Sequence, residues 1–186
     1  MTENTGLFNH RYASNFIPRP PSRVPAVGEL APDFSLPQIG GSNVQLSDFR
    51  GQQPVVLAFT RIFTEKLFCP FCYPHIQELK ICYPGIRDRG AELVMIASTD
   101  PVQSQQVVDQ LGLPYPFLFD PDCAIFRCYG VGQALGAPLP AQFVVNQEGR
   151  ITFGHLFSFL DSNAEPDTIL AELDKLALVP GNGENQ

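Results

Sequence analysis

Residues 54–89 read PVVLAFTRIFTEKLFCPFCYPHIQELKICYPGIRDR, and the fold is decided here. Pro54 to Thr60 is a short unbroken apolar run, the pattern of a strand covered on both faces. Beyond Cys69, apolar residues recur at Ile76, Leu79, Ile81 and Ile86, close to the helical repeat. Pro74 suits a first helical turn, where its missing N–H has no partner to lose. Pro84-Gly85 argues against an unbroken helix to Arg89. At the step from strand to helix stands Cys69-Pro70-Phe71-Cys72.

Outward from this stretch the pattern repeats. Ala91 to Ser98 (AELVMIAS) is a second buried strand, so the chain makes a strand–helix–strand unit, which requires parallel strands and a right-handed crossover. Pro101 to Leu111 forms a helix with Gly112 as its stop. Phe117-Leu118-Phe119 is a brief strand and Pro121 to Tyr129 a short helix. Phe143-Val144-Val145 and Ile151-Thr152-Phe153 flank a hairpin turn at Asn146 to Gly149. Pro166 to Leu178 is an amphipathic helix. Upstream, Asp33 to Leu36 and Asn43 to Leu46 alternate polar with apolar around Gly40-Gly41, a β-hairpin ahead of the main sheet. These elements predict an α/β domain of three layers, a mixed central sheet flanked by helices with an N-terminal β-hairpin extension. Residues 1–27, polar and rich in Pro, read as a flexible arm that folding can dispense with. Residues 28–179 form the domain, and 180–186 a loose tail.

The chain has 186 residues and a net charge of -7, with no dense Lys/Arg run. Nucleic acid and anionic membrane surfaces need a basic footprint, so neither is an expected partner. No apolar stretch approaches the roughly 20 residues that span a bilayer. The N-terminal segment lacks the charged-then-apolar layout of a signal peptide, and a cytoplasmic location is expected. Five cysteines in no framework spacing fit a reducing compartment, where a close pair signals catalysis or metal rather than a staple.

A Cys-x-x-Cys at a helix N-terminus favours a thiolate, because free N–H groups and the positive end of the dipole meet the sulfur. Cys69 is the expected nucleophile and Cys72 the resolving thiol, with Pro70 stiffening the ring between them. Zinc is the other use of such a pair, with Cys123 and Cys128 as a second half-site. On a short helix those two thiols lie about 140° apart around the axis, which does not suit one metal. No metal or cofactor is therefore expected. Cys82, about 15 Å along the helix from Cys72, is too far to bridge it. Cys82, Cys123 and Cys128 read as small core residues, one of the last two being a candidate to resolve a sulfenate. His75 reads as a solvated side chain. Arg61, at the end of the first strand, is either a solvated charge or a group that meets substrate.

The series Ala31 to Pro37, Leu46 to Gly51, Val55 to Arg61, Cys69 to Cys72, Gly90 to Ser98, Leu113 to Phe117, Asp120-Pro121-Asp122, Tyr129-Gly130-Val131 and Pro140 to Gly149 resembles the alkyl hydroperoxide reductase/thiol-specific antioxidant family of the thioredoxin-like superfamily. The resemblance implies a thioredoxin-like fold and a thiol-dependent oxidoreductase. Its partners would be thiol or disulfide proteins, or a small-molecule reductant. It also implies a cis proline facing the dithiol and shaping the substrate-docking surface, at Leu139-Pro140, with Pro138 as the rival position. Peroxidase members carry Thr three residues before the attacking Cys and Arg where Pro140 stands. Here Lys66 occupies the first place, and the Ile62 to Phe68 stretch is longer than usual. Thiol–disulfide exchange is the expected activity and hydroperoxide reduction by Cys69 the alternative. A redox-inert or metal-binding scaffold is the rival from another class.

Overall fold

The computed structural model describes residues 7–158 and 160–178, so the tail expected from residue 180 lies outside the described residues. In chain order the elements are helix α1 (His10–Ser14), the antiparallel pair β1 (Ser35–Pro37) and β2 (Asn43–Gln45), a 3-10 turn at Leu46–Phe49, and β3 (Val55–Thr60). A small hairpin, β4 (Ile62–Thr64) and β5 (Leu67–Phe68), leads to helix α2 (Cys72–Asp88). Then follow β6 (Glu92–Ala97), α3 (Pro101–Leu111), β7 (Phe117–Phe119), α4 (Ala124–Cys128), and the short pair β8 (Gln133–Ala134) and β9 (Ala137–Pro138). Strands β10 (Ala141–Val145) and β11 (Ile151–Leu156) and helix α5 (Pro166–Ala177) complete the order. The central sheet has five strands in the order β11-β10-β3-β6-β7. β3, β6 and β7 run parallel, while β10 is antiparallel to both β3 and β11. The expected mixed sheet is present, and among the described residues no helix is long and apolar enough to cross a membrane.

β3 is buried along its whole length because both faces of the sheet are covered. Val55, Leu57 and Phe59 meet the layer that holds α4, with the Phe59 ring 5.1 Å from Phe126, 4.9 Å from Tyr129 and 6.0 Å from Phe143. Val56 and Ala58 meet the opposite layer, built from Ile76, Leu79 and Ile86 of α2, Val107 and Leu111 of α3, and Ile169 and Leu173 of α5. Emptying the Phe59 site by Phe59→Ala would cost about 3–5 kcal/mol, transfer and cavity together.

Three departures from expectation have physical causes. Helix α2 runs through Pro84 to Asp88, against the break expected there. Ile86 is fully buried on this last stretch, and a Cβ on Gly85 would touch Leu170 of α5, so packing outweighs the local cost of Pro and Gly. The Leu139–Pro140 bond is trans, since among the described residues no peptide bond is cis. Its neighbours are already satisfied within the chain: the Leu139 N–H donates to Gly132 O at 3.1 Å and Pro140 O accepts from Phe157 N at 3.2 Å.

The third departure is the N-terminal segment, of which residues 7–27 are described. Instead of a loose arm, it is docked. Asn9 caps α1 by accepting from Tyr12 N at 3.0 Å, and Arg11 reaches inward to donate to the carbonyls of Ile62 (3.3 Å), Ser98 (2.6 Å) and Phe63. A Pro-rich extended chain cannot bond itself, so it pairs with the domain. Arg19 and Gln133 exchange backbone bonds at 2.8 and 2.9 Å, and Ser22 N donates to Gly130 O at 2.9 Å. A Cβ at Gly130 would overlap the Ser22 carbonyl, and one at Gly136 the Tyr12 ring. Both glycines have positive φ, so glycine is required there twice over.

Candidate active site

The carboxyl end of β3 and the amino end of α2 meet at the two cysteines. Helix α2 opens at Cys72 rather than Cys69, with Phe71 as its N-cap and no side chain to cap it. The freed N–H groups of Cys72 and Tyr73 both turn to Cys69 O at 3.0 Å. Both thiols are unbridged and buried, Cys69 being only 3% exposed.

Their acidities are driven apart. Cys69 is lowered to about 6, chiefly because the Cys72 thiol donates a hydrogen bond to it. Burial opposes this, while the Phe71 and Cys72 N–H groups and the Arg61 charge support it. Cys72 is raised, first because it is the donor in that bond, then by burial and the neighbouring Cys69 charge. At neutral pH Cys69 is the thiolate and Cys72 keeps the proton they share.

Arg61 is buried with the pair, not solvated. Its guanidinium donates to Ala134 O and, at 3.4 Å, to Leu135 O, and lies 4.7 Å from the centre of the Phe63 ring. Its Nε is buried without a hydrogen-bond partner. Burial lowers its pKa, and the charges of Cys69 and Cys72 work the other way. Lys66 is elsewhere, exposed in the β4–β5 turn with its backbone N–H on the Thr64 hydroxyl at 3.2 Å.

His75 is also buried, against expectation. Burial first, then the His155 charge, lower its pKa to about 4, so it is neutral at physiological pH and supplies no cation to the thiols. Its Nδ1 lies 3.8 Å from Glu78. Pro70, Phe71, His75, Glu78, Asn163 and Glu165 line a cleft of about 240 Å³ beside the motif. The other thiols stand apart. Cys82 is half-buried with its thiol on Leu79 O at 3.5 Å, Cys123 is buried and Cys128 exposed. Among the described residues no three His, Cys, Asp or Glu side chains converge as metal ligands. Pro140 is buried at the start of β10, and the bonds at Leu139 N and Pro140 O occupy the edge expected to dock substrate.

Sequence reasoning missed Asn163, which donates to Phe71 O at 3.0 Å, and Gln142 behind it. It also missed Arg11 and the Ala134 and Leu135 carbonyls. These contacts join residues 21 to 92 positions apart, and no local pattern announces them.

A thioredoxin-like sheet with an acidic thiol and a proton-holding partner at a helix N-terminus defines a thiol-dependent oxidoreductase. The sequence model of the AhpC/TSA family matches residues 27–153. The chain belongs to that family. It is similar to the thiol-disulfide oxidoreductase ResA of Geobacillus thermodenitrificans, at 30% identity over 127 residues that cover 68% of this chain and 67% of that one. It is also similar to peroxiredoxin Bcp of Escherichia coli, at 25% identity over 77% of this chain and 92% of that one. The fold superposes on peroxidoxin BcpB from Mycobacterium tuberculosis with a TM-score of 0.70, at 23% identity and covering 82% and 98% of the two chains.

Proposed function

We propose that the protein is a thiol–disulfide oxidoreductase that cycles the Cys69/Cys72 dithiol. The observation that carries this reading is the asymmetry of the pair: Cys69 lowered to about 6 while hydrogen-bonded to a Cys72 thiol that retains its proton. The Cys69 thiolate attacks one sulfur of a substrate disulfide, forming a mixed disulfide and expelling the other sulfur as a thiolate. Cys72 then loses its proton and attacks Cys69 Sγ. This closes the Cys69–Cys72 disulfide and releases the second substrate thiol. An external dithiol returns the enzyme to its reduced state. Arg61 holds charge against the thiolate and is the residue proposed to meet substrate. Because Cys69 is 3% exposed, a disulfide reaches it only after local opening. A cytoplasmic setting fits, since a reducing compartment keeps the resting dithiol open.

The second reading, hydroperoxide reduction, is favoured by that same burial, which admits a small peroxide more readily than a protein disulfide. There the Cys69 thiolate attacks the peroxide oxygen and breaks the O–O bond, becoming a sulfenic acid and releasing an alkoxide or hydroxide that takes a proton from solvent. Cys72 then condenses with it, losing water. Disulfide and hydroperoxide turnover measured side by side decide between them. Cys72→Ser is expected to trap substrate on Cys69 as a mixed disulfide, and Cys69→Ser to lose turnover altogether. A Cys72→Ser protein that consumes hydroperoxide as fast as the parent reverses the order of the two readings.

A further inference from the structure

We propose that Asn163, aimed by Gln142, is a positioning residue for the dithiol: it fixes and polarises the Phe71–Cys72 peptide unit, whose N–H closes on the Cys69 carbonyl. The proposal rests on the reading of Cys69 as the attacking thiolate.

The direction of the hydrogen-bond chain is set by a backbone group. Ala164 N can only donate, and it donates to Gln142 Oε1 at 2.9 Å. This turns the Gln142 nitrogen toward Asn163, where it donates to Oδ1 at 3.1 Å. The Asn163 nitrogen is then left to donate to Phe71 O at 3.0 Å. Neither amide can flip without breaking a bond at its far end, so side-chain orientation follows from a main-chain donor. Gln142 is 1% exposed on β10, which is paired on both sides by β11 and β3, so the chain of bonds starts from a packed interior position.

Phe71 is the second residue between the cysteines, and its carbonyl belongs to the same planar peptide as the Cys72 N–H. That N–H donates to Cys69 O at 3.0 Å, closing the loop between the two cysteines, and it is among the causes that lower Cys69. A donor on one end of a peptide draws electron density to the oxygen and strengthens the N–H at the other. No side chain caps α2, so the orientation of this peptide depends on what holds its oxygen. Asn163 thus acts on Cys69 through the peptide, without touching the sulfur.

The test is the pH profile of Cys69 alkylation in the full chain, with iodoacetamide as probe and each Cys followed by peptide mapping. Asn163→Ala is expected to move the Cys69 midpoint upward and to slow alkylation at pH 6 by about twofold to fivefold, the effect of one modest hydrogen bond partly replaced by water. Gln142→Met, which leaves Asn163 in place but unaimed, is expected to shift it the same way by less. Ser162→Ala, in the same loop, is expected to leave the midpoint where it is. A lowered Tm with an unmoved midpoint in both Asn163→Ala and Gln142→Met overturns the proposal, as does an equal shift in Ser162→Ala. The readout needs no turnover, so it is separable from the functional reading. A parent that reduces no disulfide, yet whose midpoint moves in Asn163→Ala, removes the proposed function and keeps the positioning role.

Discussion

Two cysteines stand just before helices in this molecule, and they are opposite in character. Cys69 precedes α2 and is lowered to about 6. Cys123 is the N-cap of α4 and is raised to about 11, by burial and then by the Asp120 carboxylate. Free helical N–H groups follow both, at the 17-residue α2 and the 5-residue α4, so position alone does not make a thiol reactive. The difference lies in which group takes the free N–H donors. At α4, Asp120 takes them, accepting from Ala124 N at 3.0 Å, Ile125 N at 2.8 Å and Phe126 N at 3.4 Å. At α2 there is no side-chain cap, and the Cys72 thiol and two N–H groups serve Cys69 instead. A helix end activates a sulfur only where no carboxylate has claimed it first.

The contrast can be broken or sharpened by experiment. At pH 7 the thiolate fractions of Cys69 and Cys123 differ by roughly 10⁴, but the more acidic thiol is the weaker nucleophile, so alkylation of Cys69 should exceed that of Cys123 on the order of 50-fold. Competitive iodoacetamide labelling read by mass spectrometry measures this, and equal rates would break the comparison. Next in size is Asp120→Asn, which removes the negative charge while keeping one acceptor. Cys123 should fall by about one pH unit, about tenfold in thiolate at neutral pH, with Cys69 unmoved. A pH titration of both labels checks it.

Arg61→Gln should have a smaller effect. Its charge is the last of the causes that lower Cys69, so the Cys69 thiolate at pH 6 should drop by only about twofold to threefold. A loss as large as that from Cys72→Ala in the same titration would show that the charge, not the thiol donor, governs the site. The same shift also acts on stability. A group lowered to about 6 in the folded chain from an ordinary 9.0 contributes stability that is full above about 9 and lost as pH falls through about 6. The Tm of the reduced protein should therefore climb by a few degrees across that window, and Cys69→Ser should flatten this part of the curve.

The sheet was readable because its central strands are written as unbroken apolar runs, and β3 and β6 fall where Pro54–Thr60 and Ala91–Ser98 place them. Helix α3 stops at Gly112, in the left-handed conformation expected of that glycine. The dithiol was readable from its spacing and its place at a strand–helix step. What escaped was written in partners distant along the chain. Helix α1 spans 5 residues, too few to show a period, and Arg11 is anchored by carbonyls 51 and 87 positions away. The burial of Arg61 and His75 depends on what other elements lay over them; the sequence left Arg61 open between a solvated charge and a group that meets substrate, and polarity suggested a solvated His75. Asn163 and Gln142 are amides without a motif, and their purpose exists only once β10 and the loop before α5 are side by side.

The docked N-terminal segment sets an order on biogenesis. Arg19 pairs with Gln133, Ser22 with Gly130, and Asn15 O receives the Gly136 N–H at 3.1 Å, so what leaves the ribosome early binds a platform made more than a hundred residues later. A nascent chain ending before Gly130 has nowhere to seat that segment. Closing so long a loop is entropically expensive and belongs late in folding, after the sheet has formed. A chain arrested before Gly130 should therefore be cut by a protease within residues 7–24, while one arrested well past Pro140 is protected there.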